Sequence, residues 1–137
     1  MSLRCFIQTL VPVPGSAAQS VRYPVCEWVG EDGVVDHQHP LNRFVCSWLT
    51  SDLADVTRCD EVLEIVAQLE SATRKEWFVD GDAFNVDMQA AGVQFNQSNV
   101  SSEDAAHWNQ PQGRFTLLQM TTLLRVWRDF LAAPEPR

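Results

Sequence analysis

The stretch from Glu76 to Asn96 constrains the fold most, because its side chains alternate between apolar and polar over two successive runs. Asp80-Gly81 is typical of a two-residue type I′ hairpin loop, since both residue types accept the positive φ of that turn. This loop places Trp77 opposite Phe84. Ala91-Gly92 offers a second turn before another alternating run. The sequence therefore predicts an antiparallel meander.

The meander is expected to have two chemically different faces. Its apolar face carries Trp77, Phe84, Val86, Met88 and Phe95. Its polar face carries Asp80, Asp82, Asn85 and Asp87. We expect the first face to pack in the core and the second to remain free to meet a partner.

A helix is predicted from Asp55 to Glu70. Its apolar residues recur at i, i+3 and i+4, and its opposite side is acidic. Thr57 with Asp60 resembles a capping box, which would satisfy the first free amides of the helix.

A second helix is predicted from Leu117 to Ala132, where Thr116 and Gln119 form a capping box. Apolar residues cover more than one side of this helix, so most of it is expected to be buried. The preceding segment, Gln97 to Gly113, is polar and rich in turn residues, and we expect a long surface loop there.

The N-terminal third is less regular. Cys5 to Val11 predicts a strand. Val25 to Val29 and Val34 to Asp36 flank a Gly-containing loop and predict a hairpin. The apolar positions of Leu41 to Leu49 fit a helix, yet part of the segment also alternates and is rich in strand formers, which favours a strand.

Length and charge narrow the function. A chain of 137 residues predicts a single α+β domain over 1–137, with an antiparallel sheet packed against two main helices. The formal charge of −8 argues against nucleic acids and anionic membrane surfaces as partners. No apolar segment has the length of a signal sequence or of a membrane span, so a cytoplasmic protein is expected. The four cysteines are widely spaced and are expected to be reduced and buried.

No motif for catalysis is present. The cluster of Asp36, His37 and His39 is the most metal-like feature, but a metal needs three or four ligands and no other segment supplies an obvious further one. Serines and glycines occur outside nucleophile-elbow and phosphate-loop motifs. We therefore expect no enzymatic activity, metal, cofactor or small-molecule substrate.

From Phe44 onward the chain resembles the YacL-type family of small bacterial proteins. The likeness lies in SWLTSDL at Ser47 to Leu53, in CDEVLEIVAQLE, in EWFVDGDAFNVDM and in the closing LLQMTTLLRVWRDFL. The layout is also similar to immunity proteins of contact-dependent inhibition and polymorphic-toxin systems. Those proteins are small, often acidic and cytoplasmic, and cover the active site of a toxin. The resemblance implies an α+β fold and transfers no catalytic residues.

The leading hypothesis is an immunity protein that neutralises a basic toxin domain, such as a nuclease, through an acidic surface. The candidate binding residues are Asp52, Asp55, Glu61, Glu64, Asp80, Asp82, Asp87 and Trp108. One alternative is a YacL-like cytoplasmic housekeeping protein without a toxin partner. Another is a metal-dependent enzyme that uses His37 and His39.

Overall fold

A four-stranded antiparallel sheet forms the centre of the fold. The computed structural model describes residues 2–134. The sheet order is β3-β4-β5-β6, with strands Glu76–Asp80 (β3), Phe84–Gln89 (β4), Gly92–Gln97 (β5) and Arg114–Phe115 (β6). A separate two-stranded sheet consists of Ser2–Leu10 (β1) and Val21–Val29 (β2). The predicted α+β class, with antiparallel strands packed on helices in one domain, is confirmed.

The two predicted faces of the meander are present. Phe84, Val86, Met88 and Phe95 are buried, and Trp77 is partly buried against the same core. The alternate residues of β3 and β4 are exposed or half-buried. The apolar half of the period-2 pattern therefore decides which side of the sheet faces the helices.

The register of the first hairpin differs from the prediction. Trp77 pairs with Met88 rather than with Phe84. The amide of Gly81 donates to the carbonyl of Phe84 (2.9 Å), so the loop is Asp82-Ala83, two residues later than expected. Gly81 is not among the residues with positive φ in the described chain, so the type I′ interpretation of Asp80-Gly81 was wrong.

Residues 41–52 are helical, and the preference for a strand was wrong. A π-helical segment, Leu41–Cys46, continues directly into the α-helix Ser47–Asp52 (α1). The helical spacing of the apolar residues decides the outcome, because it buries Phe44 and Trp48 on the same side. The ring of Trp48 lies edge-on to that of Phe95, with centroids 5.4 Å apart.

Two longer helices complete the body, Val56–Glu70 (α2) and Leu117–Ala132 (α3). Asp55 caps α2 by accepting a hydrogen bond from the Thr57 amide (3.1 Å), so the predicted capping box of Thr57 with Asp60 was wrong. The capping box of Thr116 and Gln119 at the start of α3 is confirmed. No helix within residues 2–134 is long and apolar enough to cross a membrane.

The N-terminal hairpin pairs β1 with β2, not β2 with Val34 to Asp36 as predicted. The side chain of Asn42 occupies the edge of β2 that the predicted partner needed. It accepts a hydrogen bond from the Trp28 amide (2.7 Å) and donates to the Trp28 carbonyl (3.0 Å). Residues 34–36 instead follow a turn closed by the Gly30 amide and the Val34 carbonyl (3.1 Å).

Candidate protein-binding surface

Two of the acidic residues on α2 form ion pairs with neighbouring arginines. Glu61 lies 3.3 Å from the Arg58 guanidinium, and the adjacent Asp60 is paired with Arg128 at 2.9 Å. Glu64 accepts a hydrogen bond from Gln68 (3.4 Å). The amide of Gln68 is uncharged, so Glu64 keeps its negative charge, and only the two ion pairs reduce the acidity of α2.

Asp55 has a local structural role. Its carboxylate accepts the Thr57 amide at the start of α2, where a negative charge also complements the helix dipole. This residue is exposed, but its side chain is held against the backbone by the cap. Asp55 therefore serves to begin α2.

Three carboxylates share the outer side of the meander. Glu76, Phe78 and Asp80 point outward from β3, and Asp87 lies directly opposite Phe78 on β4. None of the three carboxylates forms an ion pair within residues 2–134. We call these four residues the acidic sheet face.

Phe78 is the apolar member of the acidic sheet face, with 58% of its surface exposed. The alternating pattern predicts Trp77 in the core, and no role was predicted for Phe78. The signal was present in the alternation, because the neighbour of an inward-facing strand residue must face outward. Phe78 is the only aromatic residue among the large hydrophobic side chains that residues 2–134 expose.

The loop between β3 and β4 adds Asp82 beside the acidic sheet face. Its conformation is fixed by Ser98, whose hydroxyl donates to the Gly81 carbonyl (2.9 Å) and whose amide donates to the Ala83 carbonyl (3.0 Å). These bonds come from the residue that follows β5. The exposed Asp82 is therefore presented from an anchored loop.

Asp52, at the end of α1, packs against this loop. Its Oδ2 atom is buried and has no hydrogen-bond partner, although the residue as a whole is half-buried. A Cβ atom at position 81 would overlap with that oxygen, so Gly81 makes room for the carboxylate. Burial and the negative charge of Asp82 raise the pKa of Asp52, while a hydrogen bond with Ser51 opposes the shift.

The polar loop that follows β5 covers the other half of the outer sheet face. Asn96 donates to the Asn109 side chain (3.0 Å) and accepts the Asn109 amide (2.7 Å). Gln94 donates to the Gln110 carbonyl (3.0 Å). The outer face of the sheet is consequently exposed over β3, half-buried over β4 and covered over β5.

The model of UPF0231, described as an uncharacterised protein family, matches residues 37–116, which is more than half of the chain. The chain belongs to UPF0231. The resemblance to the YacL-type family is thereby confirmed, whereas the match gives no support for a relationship to immunity proteins. Searches of curated proteins and of solved structures found no match.

The UPF0231 match includes the whole acidic sheet face. It begins before α1 and ends at Thr116, the residue that caps α3. The N-terminal hairpin and α3 itself lie outside the matched range. The carboxylates of the meander and Asp52 therefore lie within the matched range.

Trp108 lies in the polar loop and is half-buried. Its amide donates to the Asp104 carbonyl (2.9 Å), and its carbonyl accepts Gln110 (3.5 Å). Asp104 also pairs with His107 (2.9 Å), which lowers the pKa of the Asp104 carboxyl. No hydrogen bond or ring contact of the described residues joins Trp108 to the acidic sheet face.

Two side chains within residues 36–39 accept hydrogen bonds from backbone amides in local turns. Nδ1 of His39 accepts the Leu41 amide (3.1 Å), and the Asp36 carboxylate accepts the Gln38 amide (2.9 Å). Within residues 2–134, no three His, Cys, Asp or Glu side chains are grouped in a way that could hold a metal ion.

All four cysteines are free, and Cys5 is less buried than the other three. Burial raises the pKa of Cys5 and of Cys59 to about 11, so both are protonated thiols at neutral pH. A thiol is a much weaker nucleophile than a thiolate. These side chains therefore contribute to packing.

Proposed function

We propose that the protein binds a basic partner protein through the acidic sheet face, and that this partner is a bacterial toxin domain which it neutralises in the cytoplasm. The single observation that carries the proposal is the grouping of Glu76, Asp80 and Asp87, without ion-pair partners in residues 2–134, around the exposed ring of Phe78. Asp82 extends the same negative surface through an anchored loop.

The chemistry of this surface suits arginine and lysine. A guanidinium group can pair with a carboxylate while its flat face lies on an aromatic ring, and Phe78 lies directly across from Asp87. Exposed aromatic residues are frequent hot spots at protein interfaces. Unpaired carboxylates also attract a basic protein over a distance and raise the rate of encounter.

The toxin-neutralising form of the proposal rests on the acidic charge of −8 and on the resemblance in predicted layout to immunity proteins, for which the comparison with solved structures gives no match. The UPF0231 match adds nothing to that form. A YacL-like housekeeping protein that binds a basic partner other than a toxin uses the same surface. The two functions differ in the partner and not in the chemistry of the site.

The first experiment is purification of the protein from its native host, followed by mass spectrometry of what accompanies it. A basic protein that arrests growth when expressed alone, and is harmless together with this protein, supports the toxin-neutralising form. A basic partner that leaves growth unaffected supports the housekeeping form.

The second experiment measures the association rate with the captured partner at increasing ionic strength. Electrostatic steering accelerates association by about 10-fold to 1,000-fold at low salt. The double variant Asp80→Asn/Asp87→Asn should lose roughly tenfold of that acceleration. Glu61→Gln/Glu64→Gln is the matched control, because it removes the same formal charge from α2, outside the acidic sheet face. The proposed surface would be contradicted if both double variants lowered the association rate equally, or if the association rate did not change with ionic strength.

A further inference from the structure

We infer that the basic partner adds a strand to the free edge of β3, through an extended segment in which arginine or lysine alternates with apolar residues. This inference rests on the proposed function and specifies how the partner is held. Proteins recognise extended segments in this way when a sheet edge supplies backbone groups and the flanking side chains supply specificity.

β3 is at one end of the four-stranded sheet, so one of its edges faces no other strand of the described chain. The bond from the Gly81 amide to the Phe84 carbonyl marks that pair as hydrogen-bonded. Pairs alternate along an antiparallel ladder, so Val79 and Trp77 also direct their backbone groups toward β4.

The remaining residues of β3 direct their backbone groups to the free edge. These are Glu76, Phe78 and Asp80, the same residues whose side chains form the acidic sheet face. No backbone hydrogen bond from residues 2–134 outside the sheet reaches them. A strand placed along this edge would therefore meet unpaired amides, unpaired carbonyls and carboxylates together.

The side-chain pattern of the edge defines the segment that fits it. Glu76 and Asp80 flank Phe78 on the outer side, with roughly 7 Å between successive outward residues. A basic residue beside each carboxylate forms a favourable cross-strand pair. The intervening residues of the added strand lie on the side of Trp77 and Val79, which pack against the core, and should be apolar.

The same charges disfavour pairing with a second copy of this chain. Two β3 edges brought together would place carboxylates of Glu76 and Asp80 next to carboxylates of the same kind. Like charges directly opposite each other destabilise a sheet, and charged edge strands are a common protection against self-association. The charges on β3 therefore disfavour pairing with β3 of a second copy and favour pairing with a basic segment.

The test uses the full-length protein and a synthetic peptide in which arginine alternates with valine. Backbone amide resonances are followed by NMR during titration. The amides of Glu76, Phe78 and Asp80 should shift and become protected from hydrogen exchange, whereas those of Glu61 and Glu64 on α2 should not change.

A second peptide of the same sequence carries N-methyl groups on the amides that would face β3. It keeps the charge and side chains but cannot donate to the edge. Loss of two or three hydrogen bonds is expected to weaken binding by about tenfold or more. Methyl groups on the opposite edge of the peptide provide the control and should have no such effect.

Equal binding of both methylated peptides would overturn strand addition while leaving the acidic sheet face as the binding surface. Absence of binding by the unmodified peptide, or binding at β1 or α2 instead, would also overturn the inference. Failure of the proposed function itself is seen separately, as an association rate with the native partner that does not depend on salt.

Discussion

Replacement of Gly81 by alanine should force Asp52 out of its observed position. The new Cβ atom would overlap with the buried Oδ2 of Asp52 and would lie 3.0 Å from the Phe84 carbonyl oxygen. Gly81 does not have a positive φ, so alanine fits the backbone itself. Most of the cost of the substitution should therefore come from the carboxylate, and a smaller part from the close contact with the Phe84 carbonyl oxygen.

The size of the effect follows from two opposing contributions. Overpacking of a filled site costs about 1–3 kcal/mol, while replacing glycine at a compatible backbone position gains about 0.4–1 kcal/mol through the unfolded chain. Gly81→Ala should then destabilise the protein by about 1–2 kcal/mol. In an Asp52→Ala background the obstructing carboxylate oxygen is gone and only the contact with the Phe84 carbonyl remains, so the same substitution should cost about 1 kcal/mol less.

The sign of the coupling is fixed by the structure. The observed position of Asp52 is the one of lowest free energy while the space beside Gly81 is available, so displacement must cost free energy. The displaced carboxylate moves toward solvent, and its pKa should fall toward the usual range because burial is the main cause of its increase.

Urea unfolding of the four proteins in this double-mutant cycle measures the coupling, and carboxyl NMR titration measures the pKa. Gly92→Ala is the control, because Gly92 has a φ of 147° and should be costly in both backgrounds. A cost of Gly81→Ala that is the same with and without Asp52 would refute the reasoning. So would an unchanged pKa of Asp52 in the Gly81→Ala variant.

Three further substitutions test other parts of the structure. Burial raises the pKa of Asp52, so the folded state binds the carboxyl proton more tightly than the unfolded state does. The stability of the protein should therefore fall as the pH rises from the pKa of Asp52 in the unfolded chain through its pKa in the folded protein. Asp52→Asn should remove this fall, as measured by thermal unfolding from acid to neutral pH. Trp127→Phe removes a buried hydrogen bond to the Leu53 carbonyl (2.8 Å) and part of a buried ring, and should lower the free energy of unfolding in urea by about 2–3 kcal/mol. Asn42→Ala removes three hydrogen bonds, two of them to Trp28, and should cost about 2–4 kcal/mol with faster amide exchange at Trp28 than elsewhere in the sheet.

The sequence was sufficient for the elements whose pattern is long and unbroken. The helix from Leu117 to Ala132 has the predicted bounds and the predicted cap, because its apolar residues and its capping box specify the same start. The helix that follows Asp55 was also predicted, but the predicted cap was Thr57, whereas the observed cap is Asp55. Both residues have side chains that can cap, and only the backbone conformation of Asp55, which is extended, decides between them.

The remaining elements depend on contacts that are distant in the sequence. Leu41 to Cys46 satisfies both a helical and an alternating pattern, and the choice comes from Phe44, which packs against rings on β4, β5 and β6. The predicted pairing of β2 failed because Asn42 holds its edge. Neither interaction has a signal in the neighbouring sequence.

The candidate site was predicted only in part for the same reason. Outward carboxylates of the meander follow from alternation. The neutralisation of Asp60 by Arg128 joins α2 to α3 across 68 residues, and no local pattern reveals it. The structure thus distinguishes α2, where two of the carboxylates are paired with arginines, from the acidic sheet face, which forms no ion pair within residues 2–134.

The error in the first turn did not alter the surface offered to a partner, because the register moved by an even number of residues. Trp77 remains inward whether it faces Phe84 or Met88, and Phe78 remains outward. The hydrogen-bonding alternation is also kept, since Val79 lies in a hydrogen-bonded pair in both registers. The buried residues of β4 determine which side chains face the core and so allow only shifts by an even number of residues. The turn determines which of these allowed registers is adopted. The side chains and the free backbone groups of β3 are therefore a consequence of the apolar pattern, and they would change only if that pattern shifted by a single residue.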